Sequence, residues 1–168
     1  MSTTASTSAT SITGACRFSL NLTMMLVKDI DPEKFADRCG TTINHPAFIL
    51  GHLAYYMGVC MQLMGGEIEL SDSDTERYQH GVECHDNPSL YPDKDEAIAQ
   101  FTQRLNTVCD FLDSCDDAVF AKSSAGTFFE ERMPTMGAIA TFMMVGHVNL
   151  HLGQVSAWRR VAGMGPAS

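Results

Sequence analysis

Two histidines four residues apart, His147 and His151, sit in the run Gly146-His147-Val148-Asn149-Leu150-His151-Leu152-Gly153-Gln154, and a third, His52, sits in Gly51-His52-Leu53. On an α-helix four residues advance about 6 Å and turn through about 400°, so His147 and His151 project from one face, one turn apart. That spacing suits capture of a divalent cation. Three imidazoles around one ion leave a coordination position for water or substrate, which points to chemistry more than to a structural staple. Such pairs also occur on solvated helix faces, but here Met143, Met144, Leu150 and Trp158 recur at helical spacing nearby and predict an inward face. Neutral imidazoles buried there without partners are costly, and a metal ion satisfies both.

His52 lies at helical spacing from Phe48, Tyr55 and Val59, which also predicts an inward face. Seven residues return His45 to the same side, but about 10 Å away along the axis, too far for both to reach one ion through bonds of about 2.1 Å. His45 is therefore read as a helix-start cap. The run His80-Gly81-Val82-Glu83-Cys84-His85 offers two imidazoles, a thiol and a carboxylate, yet has no second half elsewhere and reads as loop. Gln154, one turn beyond His151, and Tyr55 or Tyr56 beside His52 are candidates to line the site or its surroundings.

Positioning these residues takes helices. Strand-like alternation is scarce, so the chain reads as all-α, a four-helix bundle with a long irregular connector between the second and third helices. The first helix is expected from about Gly14 to Val27, with Phe18, Leu22 and Met25 as its buried stripe, closed by Asp29, Asp31 and Pro32. The second starts at Asn44-His45-Pro46 and stops at Gly65-Gly66. The third follows an Asp93 to Glu96 capping box and carries Ile98, Phe101, Leu105, Val108, Leu112 and Cys115 as a bundle seam. The fourth starts after Pro134 with Thr135 as N-cap, runs to Ala162 and presents the His pair.

The chain has 168 residues, a length for one domain, placed at 14–168 behind a loose Ser/Thr/Ala tail at 1–13. Its net charge of −9 is concentrated: ten acids against Arg77 and Lys94 give residues 67–96 a net of −8, read as a solvated segment or an acidic lip on a site. Eleven scattered Lys and Arg oppose nucleic-acid binding. No apolar run is long enough for a membrane span, and no secretory signal is recognisable. Six cysteines at irregular spacing, without a C-x-x-C pair, fit reduced thiols in a cytoplasm, with Cys60, Cys109 and Cys115 acting as small hydrophobes. Phosphate-loop, nucleophile-elbow and His-Glu-x-x-His motifs are absent.

Asn44-His45-Pro46 leading into Gly51-His52-Leu53-Ala54, then His147-x-x-x-His151-x-Gly153-Gln154, Trp158-Arg159-Arg160 and a Gly163-x-Gly165-Pro166 end, together resemble the DinB-like (DinB/YfiT) superfamily of metalloenzymes. The similarity covers nearly the whole chain after about residue 14. The resemblance implies a four-helix bundle, often a homodimer, with one divalent metal held by a histidine of the second helix and an H-x-x-x-H of the fourth. Those positions fall on His52, His147 and His151. Zinc or nickel leads among the metals, followed by iron or manganese. Characterised relatives include transferases and isomerases that use a low-molecular-weight thiol (mycothiol, bacillithiol or glutathione) and metal-dependent hydrolases.

Three readings follow. A thiol-dependent S-transferase acts on a small electrophile with the metal activating the thiol, a hydrolase activates water instead, and a non-catalytic bundle binds a metal or a partner without turnover. No carboxylate lies in either histidine motif to serve as a general base, which favours the first. A fourth protein ligand on the metal would favour the last.

Overall fold

A computed structural model describes residues 6–167. Among them the secondary structure is helical, with one isolated antiparallel bridge between Ser123 and Thr135. Helix α1 spans Thr7–Val27, α2 Pro46–Leu63, α3 Asp72–Tyr78, α4 Lys94–Asp113, α5 Asp117–Ala121, α6 Met136–Thr141 and α7 His147–Val161. A π-helical turn over Phe142–Gly146 joins α6 to α7 without a break. Helix α2 packs on α4 and α7, and α1 packs on the other sides of the same two. Phe101, Leu105, Val108, Leu112, Leu50, Leu53 and Trp158 fill the space between them.

Helix α1 begins seven residues before the expected Gly14. Part of the anticipated tail is thus helix; residues 1–5 lie outside the described residues. Ser6 caps it, its Oγ accepting from Ala9 N at 3.1 Å and donating to Asp117 Oδ1 of α5. The hydroxyls of Thr10 and Ser11 donate back to the carbonyls of Ser6 and Thr7, which satisfies polar groups that would otherwise compete with the helix. Thr13 and Arg17 then bind the Asp113 carboxylate at 2.7 and 2.9 Å, fastening this end to α4.

Of the expected stripe on α1 only Leu22 packs against the core, and it is half-buried. Phe18 is 62% exposed and Met25 43%, while the buried face is Cys16, Ser19, Thr23 and Val27. Small side chains let α1 lie close to α4 and α7, and Asn149 of α7 donates to Ser19 Oγ at 2.9 Å across that contact. Leu150, expected beside an inward His pair, is 61% exposed.

The other helix starts follow their caps. His45 Nδ1 accepts from Phe48 N at 3.1 Å ahead of Pro46, Asp93 accepts from Glu96 N, and Thr135 accepts from Ala138 N. The connector between α2 and α4 is not wholly irregular: it holds α3, capped by Ser71, and a 3-10 turn at Pro88–Leu90. Helix α5 and the loop after it had no counterpart in the sequence reading. At the far end of α7, Arg159 is buried, with Nη2 donating to Asp29 Oδ2 at 2.9 Å and Nη1 to the Leu26 carbonyl at 2.8 Å. Trp158 Nε1 donates to the Asp37 carbonyl at 2.7 Å. These bonds tie the end of the histidine helix to the end of α1 and to the segment that follows it.

Because Phe101 has no exposed surface and Phe18 is mostly exposed, the two should respond oppositely to truncation. Phe101→Ala is expected to lower the unfolding free energy by about 3–5 kcal/mol and Phe18→Ser to change it by about 0.5 kcal/mol or less, read from urea melts.

Candidate metal centre

His52 comes from the middle of α2, and His147 and His151 from the first turn and a half of α7. His147 Nε2 stands 3.2 Å from His52 Nε2 and 3.1 Å from His151 Nε2. One ligand atom from each lies within 4.8 Å of the others. Donors bonded to one ion at roughly 2.1 Å and near-tetrahedral angles stand about 3.4 Å apart, so the spacing suits a shared metal.

The outer nitrogens decide what the inner ones offer. His52 Nδ1 lies 2.7 Å from the Tyr78 carbonyl, an acceptor only, so Nδ1 carries the proton and Nε2 presents a lone pair. His151 Nδ1 donates to Gln154 Oε1 at 3.1 Å, with the same consequence. Both lone pairs face His147 Nε2, which has at most one proton to give. A divalent cation matches such a donor-rich, proton-poor cluster, and the three residues could hold one. Gln154 orients a histidine from one turn away. His45, as expected, lies apart at the cap of α2, its Nε2 3.1 Å from the His85 carbonyl.

Two elements that position the cluster left no trace in the sequence reading. Tyr78, at the end of α3, delivers its carbonyl to His52 while its ring lies against Gly51, where a Cβ would overlap the ring. The connector thereby reaches the site through a main-chain oxygen. The π-turn over Phe142–Gly146 immediately precedes His147, whose N–H donates to the Phe142 carbonyl five residues back. This wider turn sets the phase of the His pair against α2, and such insertions recur at functional sites.

Aromatic rings surround the imidazoles. Tyr56 lies 4.8 Å from the His52 ring and 5.3 Å from the His147 ring, Phe48 stacks on His52, and Tyr55 packs on Tyr56. The Tyr56 hydroxyl oxygen accepts from His80 N at 2.8 Å. Tyr56 therefore flanks the cluster directly, and Tyr55 meets it through Tyr56. His80 and His85 are exposed while Cys84 is buried, and among the described residues they form no metal-binding group.

Burial pushes His147 down to about 3, helped by the neighbouring His151 and His52, and His52 down to about 4, with His151 adding to the effect. Burial also lowers His151 and His45. Below the ordinary imidazole value of about 6.5, the unfolded chain takes up protons that the folded cluster refuses, so metal-free protein loses stability as pH falls. The urea midpoint of the metal-free protein should be lower at pH 5 than at pH 7; equal midpoints would contradict the neutral cluster. Gly51→Ala, which displaces the Tyr78 ring and its tether on His52, should weaken zinc affinity by about tenfold, measured by competition with a chelating dye.

Neither the curated proteins nor the solved structures yielded a match to this chain. A family model described as the DinB superfamily matches residues 16–155, which include the three histidines, Tyr78, Gln154 and the π-turn. With well over half of its length matched, the chain belongs to the DinB superfamily.

Proposed function

We propose that this protein is a divalent-metal-dependent enzyme that uses a low-molecular-weight thiol to attack a small electrophile. His52, His147 and His151 are the metal ligands in this reading, and the long helices form the family's four-helix bundle, working as a cytoplasmic homodimer. The observation that carries it is the ligand group itself: among the described residues it comprises three imidazoles and no fourth histidine, cysteine or carboxylate. Three ligands leave the ion open to a ligand from outside, as catalysis needs and a sealed structural site does not.

A bound divalent ion supplies a Lewis acid that lowers the pKa of a thiol or water reaching it. The chain's own residues prepare for that. Tyr78 and Gln154 hold the outer protons of His52 and His151, so that neutral nitrogens face inward. Burial keeps them neutral across the physiological range, so they act as ligands and not as proton carriers. Tyr56 and Phe48 pack against the His52 ring and lend it apolar surroundings. Among the described residues no Asp or Glu oxygen joins the three histidines in the ligand group. A thiol, intrinsically about seven pKa units more acidic than water, depends less on a carboxylate base, which favours transfer over hydrolysis.

Purified with its native metal, the wild-type protein should contain close to one ion per chain and the His147→Ala variant almost none. Unchanged metal content in the variant would sink the ligand assignment. Incubation of loaded protein with electrophiles, with and without thiol, should show turnover that requires thiol; thiol-independent turnover would replace the transferase by a hydrolase, and a loaded protein inert to every electrophile by a binding bundle.

A further inference from the structure

Beside the histidines runs a chain of aromatic rings that the mechanism above does not use. Phe142 lies 5.9 Å from the His147 ring, Phe129 lies 6.4 Å from Phe142, and Phe128 lies 5.4 Å from Phe129. The first belongs to the π-turn, and the other two to the loop between α5 and α6. Phe142 is 38% exposed and Phe128 91%, so the row leads from the cluster outward to solvent.

The π-turn is the reason Phe142 is there. In a regular α-helix, residues five apart point about 140° away from each other. The bond from His147 N to the Phe142 carbonyl closes a wider turn and brings the two rings onto one side. With Tyr56 at 5.3 Å on another side, His147 is bordered by two aromatic rings.

Charge argues in the same direction. The rings that border the imidazoles, Phe48, Tyr56 and Phe142, are aromatic and carry no charge. The row is followed by Glu130, Glu131 and Arg132, while the chain's excess negative charge lies in residues 67–96. An anionic ligand would find no partner in those rings, whereas an uncharged aromatic or hydrocarbon group would bury surface against them.

Resting on the metal reading above, we propose that Phe142, Phe129 and Phe128 form an apolar subsite beside the metal centre, and that the enzyme's substrate is an uncharged electrophile with an aromatic or bulky hydrocarbon group seated on them. Phe142, nearest to His147, sets how deeply that group enters, and Phe128 meets it first. Specificity then rests on the π-turn and the loop after α5, not on the acidic connector.

Zinc-loaded protein titrated calorimetrically with benzyl mercaptan and, separately, with 2-mercaptoethanol tests this directly. The wild type should bind the benzyl thiol about tenfold more tightly. Phe128→Ser and Phe129→Ser, both in the loop after α5 and outside the π-turn, should each cut that preference at least about threefold while leaving 2-mercaptoethanol affinity and zinc content unchanged. Comparing the two thiols across variants removes any intrinsic difference in their affinity for zinc. Full zinc content with a preference that is absent, or that survives both substitutions, overturns the subsite alone. Failure of the wild type to retain zinc overturns the metal reading and the subsite with it.

Discussion

The site depends on two hydrogen bonds made by nitrogens that face away from it. The Tyr78 carbonyl and the Gln154 amide oxygen take the Nδ1 protons of His52 and His151, and this alone turns their Nε2 lone pairs toward His147. Without those acceptors either ring could flip or change tautomer, and the cluster could settle into ordinary imidazole hydrogen bonds. With them, three nitrogens meet with too few protons to share. The burial of the rings sharpens the conflict by opposing protonation, so the same low-polarity surroundings that make the cluster costly also make it receptive to a cation.

Holding that arrangement requires α2 and α7 to keep their register. The register is set at both ends of the helical run that bears the His pair. At its start Thr135 caps the run, and the π-turn then adjusts its phase. At its end Trp158 and Arg159 are fastened to main-chain carbonyls of residues 26 and 37 and to Asp29. Small residues on the buried face of α1 bring that helix against α7, with Asn149 bridging to Ser19 between the two histidines.

What could be read from the sequence was local. The i to i+4 relation of His147 and His151, the His45-Pro46 cap, the Asp93 cap on Glu96 N and the α4 seam from Phe101 to Leu112 each lie within about one to five turns of helix, and the structure keeps them, whereas the Glu96 carboxylate accepts from Gln100 instead of closing the box and Cys115 lies beyond the end of α4. The buried face of α1 is not legible from residue type, because Phe18 and Met25 are apolar yet turned outward, while Ser19 and Thr23 are polar yet fit a close helix contact. The early start of α1 has no local signal, because its Ser and Thr hydroxyls serve their own backbone and its Asp117 and Asp113 partners lie about a hundred residues away. Neither the π-turn nor the Tyr78 tether has a residue signature: one is a change in backbone phase, the other a main-chain oxygen that any residue possesses.

That last property bears on how this protein can vary. Any amino acid at position 78 would still bring a carbonyl, so the connector is free to drift in side chains and charge without disturbing the histidine it steadies. The exception is the ring pressed on Gly51, where no side chain fits beneath it. Positions 51 and 78 thus form a lock and key within one chain, and a larger residue at the first is tolerable only with a smaller one at the second. Related sequences should show the two positions changing as a pair while the acids between them come and go.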